Sequence, residues 1–290
     1  MSYPDVRWVT TPDVQLRVLD WGGVGSSVIV CLHGIGGNAW MWNALAPRLA
    51  ASLHDTHRVL SMDMRGHGDS SKPASEYSPE AVGTDLLHLA DAVGARRLAL
   101  IGHSRGGWQA AFTAARWPDR VTDLVLVDPA RFRFEDVSSS TDYYGGISVL
   151  QGPFADAAEA LDTAQQREPG ALWTQERKVA FLHGLEATPD GRLRGKMQHQ
   201  VLEELRKVRG RDWLSDIAGQ VTARTLLFVA TKSDERRQAQ KLEYAQKLPD
   251  VRVVRLPTTH YVHYDAPEDV HLHVVGFLTL NDTAESTVQP

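Results

Sequence analysis

The sequence of 290 residues predicts an α/β protein with a doubly wound, mostly parallel sheet and a helical cap inserted into it. Three observations favour this class. Short, nearly continuous apolar runs recur along the chain, as expected for parallel strands covered by helices on both faces. Amphipathic helical segments separate these runs, which implies right-handed crossovers. One long segment, residues 131–211, has no strand-like run and is rich in helix formers and aromatic residues.

The predicted strands are of two kinds. Residues 14–21 alternate apolar and polar side chains, which indicates a half-exposed strand near a sheet edge. The other runs are nearly all apolar, and we interpret them as buried parallel strands. These runs are residues 28–32, 59–62, 98–101, 124–127, 225–230 and 251–256.

Helices are predicted in the gaps between these strands. In the clearest case Ser78 is the N-cap, Pro79 takes the first helical position, and Gly94 ends the helix. Further helices are predicted at residues 42–53, 107–116, 234–248 and 268–280. We expect residues 1–130 and 212–290 to form the core. Residues 131–211, called the cap insertion below, are expected to cover the carboxyl edge of the sheet, where α/β proteins bind ligands.

Composition and charge exclude several classes of protein. The formal net charge is −5, so no strong positive field favours nucleic acid. Cys31 is the single cysteine, which rules out a disulfide framework and suits a reducing compartment. No apolar window reaches the roughly 18 residues of a membrane span, and the first residues do not resemble an export signal. We therefore expect a cytoplasmic protein with no membrane partner.

The segment GHSRG, residues 102–106, joins a predicted strand to a predicted helix. It fits the G-x-S-x-G nucleophile elbow, and its strand-to-helix context is the one that this motif requires. Glycines two positions before and after Ser104 allow a cramped turn that presents the hydroxyl above the sheet. Ser104 is therefore the candidate nucleophile.

A serine hydroxyl is a poor nucleophile at neutral pH, so it needs a base and an acid that orients the base. Where this elbow occurs, the acid and then the histidine follow the serine along the chain. Asp234 comes just after the run 225–230, and His260 comes just after the run 251–256. Both lie at carboxyl ends of predicted strands, and we take them as the acid and the base.

Two alternatives stay open at this stage. Asp128 also ends a predicted strand and is an alternative acid, although a role in the hinge of the cap insertion is also consistent with its position. His263 lies three residues beyond His260 and is an alternative base, with packing beneath the loop as its other role.

An acyl-transfer site also needs two donors for the oxyanion. The amide of Arg105 follows the nucleophile, and the glycine-rich loop of residues 33–37 offers the amide of Ile35. Candidate residues for substrate binding are Trp40, His103, Tyr143 and Tyr144. No metal or nucleotide cofactor is expected, because the chain has neither an H-E-x-x-H run nor a G-x-G-x-x-G after its first buried strand.

The chain resembles the α/β-hydrolase superfamily, in particular its cap-bearing esterase, lactonase and C–C hydrolase branches. The motifs that carry the resemblance lie at residues 33–37, 63–70, 102–106, 232–234 and 260–263. The resemblance implies Ser104 as nucleophile, His260 as base and Asp234 as the orienting acid. This chain departs from many relatives at Thr231 and Thr259, where they have glycine. Related haloalkane dehalogenases and epoxide hydrolases use aspartate at the elbow, where this chain has serine.

The resulting expectation is a cofactor-free serine hydrolase that cleaves a carboxylic ester or lactone of a small to medium apolar molecule. The same triad would serve C–C bond hydrolysis, thioester hydrolysis or perhydrolysis. A non-catalytic ligand-binding relative is a further alternative. The partner expected is a small-molecule substrate, and the basic segment 192–211 would also suit an acidic carrier protein.

Overall fold

A computed structural model of the protein describes residues 3–130, 151–207 and 214–280. Its centre is an eight-stranded sheet, in which β2 is antiparallel to both of its neighbours and the other pairs are parallel. In spatial order the strands are β1 (Asp5–Thr10), β2 (Gln15–Gly22), β4 (His57–Met62), β3 (Ser27–Leu32), β5 (Leu98–His103), β6 (Val121–Val127), β9 (Arg224–Ala230) and β10 (Val251–Leu256). The predicted doubly wound, mostly parallel sheet is confirmed.

Helices flank the sheet and connect its parallel strands. Within the described residues they are α1 (Ala46–Ser52), α2 (Pro79–Ala92), α3 (Arg105–Arg116), α4 (Ala157–Arg167), α5 (Gln175–His183), α6 (His199–Lys207), α7 (Leu214–Ile217), α8 (Glu235–Ala245), α9 (Val262–Asp265) and α10 (Pro267–Thr279), with 3₁₀ turns at Ala39–Trp42 and Ala218–Gln220. The predicted start of α2 is confirmed, because the Ser78 hydroxyl accepts a hydrogen bond from the amide of Ala81 at 3.2 Å.

The core lies on both faces of the sheet, because side chains of each strand alternate between the faces. In β3, Val30 packs into the cluster that includes Leu86 of α2 and Trp108 of α3. The next residue, Cys31, points to the opposite face and packs into the cluster that includes Val274 of α10. Cys31 is a buried free cysteine, and burial raises the pKa of its thiol, which agrees with a packing role.

The sheet edge differs from the sequence prediction. The strand expected to be half exposed, β2, is almost wholly buried, and it lies inside the sheet between β1 and β4. β1 forms the edge instead, with Val6 and Trp8 each about half exposed. Residues 5–10 gave no strong periodic signal because only Val9 of this strand is buried.

The described part of the cap insertion, residues 151–207, follows β6 and contains α4, α5 and α6. It also contains a short antiparallel pair, β7 (Leu185–Ala187) and β8 (Leu193–Gly195), where no strand was expected. The predicted boundaries at 131 and 211 fall outside the described residues. None of the helices described here is long and apolar enough to cross a membrane.

Hydrogen bonds hold the cap insertion against loops of the core. The Asn38 side chain donates to the carbonyl of Ala180 at 2.9 Å, and the Asn43 side chain donates to the carbonyl of Glu176 at 2.8 Å. Both acceptors belong to α5, so this helix lies over the 3₁₀ turn that follows β3.

Candidate active site

Ser104 lies between β5 and α3 in a strained backbone conformation, with φ of 53° and ψ of −117°. A non-glycine residue at positive φ costs about 1–3 kcal/mol, and it persists only where its surroundings fix it. The Ser104 amide donates to the carbonyl of Val127 at 3.2 Å. Its carbonyl accepts from the amides of Trp108 and Ala130, both at 3.1 Å. The turn therefore holds Ser104 at the carboxyl edge of the sheet.

Two glycines make this turn sterically possible. A Cβ atom on Gly106 would collide with the carbonyl of Leu32 in β3, and one on Gly102 would collide with the carbonyl of Gly106. Any side chain at either position would push α3 away from the sheet and move Ser104. The crowding expected from the GHSRG motif is confirmed.

His260 lies in the loop after β10 and is paired with Asp128 at the end of β6. Its Nδ1 donates to Asp128 Oδ2 at 2.6 Å. This bond fixes the tautomer, so that Nε2 is the basic nitrogen of the neutral ring. The Asp128 carboxylate is 2 % exposed and the His260 side chain is 36 % exposed. The acid is thus buried, while the base is partly exposed.

The prediction that Asp234 orients the histidine is wrong. Asp234 is the N-cap of α8, and its carboxylate accepts from the amide of Arg237 at 2.9 Å. The side chain is 54 % exposed and forms an ion pair with the Arg237 guanidinium. The alternative acid, Asp128, takes the position next to His260. An aspartate directly before a helix satisfies free amides, and this role explains Asp234 completely.

Three donors converge on the Asp128 carboxylate. Besides His260, the amide of Ala230 donates to Oδ1 at 3.0 Å and the Lys241 ammonium lies 2.7 Å from the same oxygen. Burial alone raises the pKa of Asp128, but the hydrogen bond and charge of His260, followed by those of Lys241, lower it below its usual value. Asp128 is therefore ionised at neutral pH.

His103 supports the loop that carries His260. Its Nε2 donates to the carbonyl of His260 at 2.9 Å, and the two ring centroids are 4.6 Å apart. The side chain is buried, and burial, followed by the charges of His260 and His263, lowers its pKa well below the usual value. His103 is not among the residues that line the cavity described below, and its predicted role in substrate binding stays a prediction.

The alternative base, His263, is fully buried in α9. It packs against Trp42, with ring centroids 5.0 Å apart, and against Tyr264, with centroids 4.5 Å apart. Burial lowers its pKa to about 3, with smaller contributions from Arg177 and His260. A buried imidazole that stays neutral at physiological pH is a packing residue, in agreement with the second role considered from the sequence.

Comparisons with known proteins identify the family of this chain. The model of the alpha/beta hydrolase family matches residues 29–271. This chain belongs to the α/β-hydrolase family. A fluoroacetate dehalogenase from Burkholderia sp. is 37 % identical over 307 aligned residues, which cover 94 % of this chain and 93 % of that protein. Epoxide hydrolase A of Mycobacterium tuberculosis is 27 % identical and covers 96 % of this chain and 98 % of its own.

Other similarities are partial or concern the fold. Uncharacterized proteins of Mycobacterium bovis and M. tuberculosis are 33 % identical over 129 residues, and this chain spans only 36 % of their length. The solved structure of E-2-(acetamidomethylene)succinate hydrolase has a TM-score of 0.81 at 22 % identity, covering 96 % of this chain and 100 % of that one. The solved structure shows the fold, while the family model and the two relatives covered over nearly their whole length place the chain in a family of hydrolases.

The loop of residues 33–37 lies against the turn that carries Ser104. A Cβ atom on Gly34 would lie 3.4 Å from Ser104 Cβ and 3.0 Å from His103 Nδ1. His33 fixes the loop, since its Nδ1 donates to the Gly34 carbonyl at 2.7 Å and its Nε2 accepts from the Met64 amide at 3.1 Å. The loop that contains Ile35 therefore meets the turn that contains Ser104 and Arg105. The two predicted oxyanion donors, the amides of Ile35 and Arg105, belong to these two segments.

A cavity of about 360 Å³ lies between this loop and the cap insertion. Most of its wall is apolar, and its volume is in the range that small ligands occupy. The apolar lining residues are Ile35, Met41, Ala164, Trp173, Ala180, Phe181, Leu185 and Met197. Tyr261, which follows His260, forms part of the wall on the core side.

One polar cluster crosses the cavity wall from the cap insertion to the core. The Arg177 guanidinium lies 3.8 Å from the ring centroid of Tyr261 and 4.3 Å from that of Trp173. It forms an ion pair with Glu168, which also accepts a hydrogen bond from the Tyr261 hydroxyl at 3.0 Å. The cap insertion is therefore attached to the residue next to His260.

The remaining predicted pocket residues have different outcomes. Trp40 does not line the cavity. Its ring stacks on His183 of the cap insertion, with centroids 4.0 Å apart and planes within 1° of parallel. Trp40 therefore packs against the cap insertion instead of facing the ligand space. Tyr143 and Tyr144 lie outside the described residues.

Proposed function

We propose that this protein is a cofactor-free serine hydrolase that cleaves a carboxylic ester or lactone of a small to medium apolar molecule through an acyl-enzyme. The observation that supports the proposal is a shared sheet edge, where the strained Ser104 follows β5 and where His260, in the loop after β10, is bound at Nδ1 by the buried carboxylate of Asp128. The catalytic residues are Ser104, His260 and Asp128, the last in place of Asp234.

In the acylation step the Ser104 oxygen attacks the substrate carbonyl carbon while Nε2 of His260 accepts the hydroxyl proton. Asp128 stabilises the imidazolium that forms. The amides of Ile35 and Arg105 donate to the oxyanion of the tetrahedral intermediate. The carbon–oxygen bond to the leaving group then breaks, and the alkoxide leaves with the proton from His260.

Water completes the cycle. His260 accepts a proton from the water molecule as its oxygen attacks the acyl carbon, and a second tetrahedral intermediate forms. Its collapse returns the proton to the Ser104 oxygen and releases the carboxylic acid. For a lactone, the alcohol and the acid are parts of one product. No redox step or cofactor is needed.

The nature of the nucleophile argues against dehalogenase or epoxide hydrolase chemistry, although the fluoroacetate dehalogenase and epoxide hydrolase A are relatives. A carboxylate that displaces halide from carbon, or opens an epoxide, leaves an ester that water can hydrolyse. The same attack by the oxygen of Ser104 would leave an ether, which the site has no means to hydrolyse. A serine at the elbow is productive only where attack on a carbonyl carbon gives an acyl-enzyme.

The apolar walls of the cavity support a substrate with an apolar acyl or alcohol group. The volume of about 360 Å³ accommodates a small to medium molecule. We do not extend the proposal to an acidic carrier protein, because basic side chains of segment 192–211 are paired within the chain. Examples are the ion pairs of Arg194 with Glu186, Lys196 with Asp69 and Lys207 with Glu204.

The test is hydrolysis of p-nitrophenyl butyrate by the wild type and by Ser104→Ala. We expect the variant to lose at least about 10³-fold in kcat, because no other group can form the acyl-enzyme. A fluorophosphonate probe should label the wild type at Ser104 and leave the variant unlabelled. Equal rates in the two proteins would refute the proposal. A panel with a γ-lactone, an acyl thioester and a β-diketone, together with hydrogen peroxide as acyl acceptor, separates ester hydrolysis from other reactions of the same triad.

A further inference from the structure

Lys241 is buried at a position where its charge needs a partner. It lies on the face of α8 that also buries Tyr244 and Ala245, and its side chain is only 3 % exposed. A lysine is almost never fully buried unless it is paired. The proposed reaction assigns no role to this ammonium group.

The partner of Lys241 is the acid of the proposed triad. Its Nζ lies 2.7 Å from Asp128 Oδ1, and the carboxylate is 2 % exposed. The Ala230 amide donates to the same oxygen at 3.0 Å. The other oxygen, Oδ2, accepts from His260 Nδ1 at 2.6 Å. The two oxygens therefore have separate tasks.

We propose that Lys241 is a positioning residue of the proposed serine hydrolase, which holds Asp128 with Oδ2 toward His260 and offsets part of its negative charge. The inference rests on the proposed function for its catalytic meaning. The contact itself joins three elements, since Lys241 comes from α8, Asp128 from the end of β6 and His260 from the loop after β10.

Other titratable groups surround the Asp128–His260 pair. His103 faces it from β5, Tyr261 from the loop after β10 and His263 from α9. Burial, before any other cause, lowers the pKa of both His103 and His263, which keeps these rings neutral near pH 7.

Arg177 approaches from the cap insertion but is already paired with Glu168. Among the lysines and arginines that the structure describes, Lys241 is thus the one that contacts the Asp128 carboxylate directly.

This placement has two consequences. First, with Lys241 and the Ala230 amide on Oδ1, rotation of the carboxylate would break two interactions in a buried site, so Asp128 stays aligned with His260. Second, a cation beside the carboxylate weakens the stabilisation that Asp128 gives to the imidazolium.

A titration of the His260 imidazole by NMR tests the charge effect without any substrate. Lys241→Met keeps an unbranched side chain of similar length and removes the charge. In this variant we expect the midpoint of the His260 titration to move to higher pH by about one pH unit. Lys241→Arg retains the charge and should retain the wild-type midpoint. The control is Lys247→Met, which removes a partly exposed lysine paired with Glu243. This substitution should leave the midpoint of the His260 titration unchanged. A folded Lys241→Met protein with an unmoved midpoint overturns the assignment.

Kinetics test the positioning effect. In Lys241→Met we expect kcat on the plateau of the pH profile to fall about tenfold with little change in KM, because alignment is lost and binding is not. The ascending limb of the profile should move to higher pH together with the NMR midpoint. In the Asp128→Asn background the same substitution should change kcat less than twofold, because Lys241 acts through Asp128. A further tenfold loss in that background would show an independent role and overturn the proposal.

The design also covers a variant that fails to fold. Lys241→Met could be unstable because it leaves the buried carboxylate of Asp128 without a cation. The double variant with Asp128→Asn removes both charges. Comparison of its kcat with that of Asp128→Asn alone then tests whether Lys241 acts through Asp128. The two proposals fail in different ways. Loss of the Ser104 dependence of hydrolysis refutes the proposed function, whereas an unmoved midpoint in an active, folded enzyme refutes only the role of Lys241.

Discussion

Two neighbouring strands of the sheet, β6 and β9, are each followed closely by an aspartate, and the two aspartates have opposite environments. Asp128 follows β6, is buried, and binds His260 and Lys241. Asp234 begins α8 after β9, is about half exposed, and bonds to the first turn of its own helix. An aspartate after a strand is therefore an ambiguous signal, because helix N-caps and catalytic acids use the same residue at the same kind of position.

The difference between them arises in the backbone. Asp128 has φ of 44°, and its amide donates to the carbonyl of Phe228 in β9 at 3.1 Å. The chain therefore stays attached to the sheet while the side chain turns toward the loop that carries His260. Asp234 has the extended φ of −61° and ψ of 152° of an N-cap, which aims its carboxylate at the amide of Arg237. The positive φ of Asp128 thus distinguishes the aspartate that binds His260 from the one that caps a helix.

The largest expected effect separates the two aspartates by activity. Asp128→Asn should lower kcat for p-nitrophenyl butyrate about 10⁴-fold, because the amide no longer stabilises the imidazolium or selects its tautomer. Asp234→Asn should leave kcat within about twofold of the wild type, since asparagine is an equally good N-cap. A large loss in Asp234→Asn with an active Asp128→Asn enzyme would reverse the assignment.

A similar contrast separates the buried histidine His263 from exposed histidines. It predicts that the folded state loses stability in acid. The folded pKa of His263 is lowered to about 3, below the ordinary value of about 6.5 in the unfolded chain. The unfolded state therefore binds a proton that the folded state does not, and stability falls as pH drops from about 7 toward 3. This group should contribute about 2 kcal/mol to the loss in free energy of unfolding between pH 7 and pH 5.

Urea denaturation at the two pH values measures this contribution. His263→Phe keeps an aromatic ring in the same space and should lose about 2 kcal/mol less stability than the wild type over this interval. His199→Gln, which removes an imidazole that is 73 % exposed, is the control and should follow the wild type. Parallel losses in His263→Phe and the wild type would contradict the prediction.

The smallest expected effect concerns the exposed aspartate. Asp234→Ala removes the N-cap of α8 and should lower the free energy of unfolding by about 1 kcal/mol. Asp234→Asn should retain nearly all of the wild-type stability, because its side-chain oxygen still accepts from the Arg237 amide. Equal destabilisation by the two substitutions in urea denaturation would assign Asp234 a role that depends on its charge.

Much of the site could be predicted from the sequence because local patterns carry it. The spacing of the glycines around Ser104 can be read within five residues, although the steric cause at Gly106 is the carbonyl of Leu32 in β3, and the apolar runs fix which strands end at the same edge. His260 follows directly from its place after the last strand. These features depend on neighbours in the chain, and the structure brings them to the predicted edge of the sheet.

The choice of acid could not be predicted in the same way, because it depends on which of two loops points toward His260. Lys241 gave no usable signal, since a lysine in a polar helix resembles a surface residue until the partner 113 positions earlier in the chain, Asp128, is placed beside it. The edge strand β1 was missed because most of its side chains are exposed. Arg177 and Glu168 lie in the cap insertion, where no motif links either residue to the tyrosine that they contact.

That contact has a consequence for how new specificities arise in this protein. Tyr261 adjoins His260 and is held by Glu168 and Arg177, so a cap insertion exchanged for that of a relative would remove both partners from the loop of the base. Such a chimera would have a different cavity and, at the same time, a less firmly held loop around His260. Under the proposed function, an exchange of the cap insertion should change selectivity and turnover together, unless the new cap insertion also supplies a glutamate and an arginine at the positions of Glu168 and Arg177.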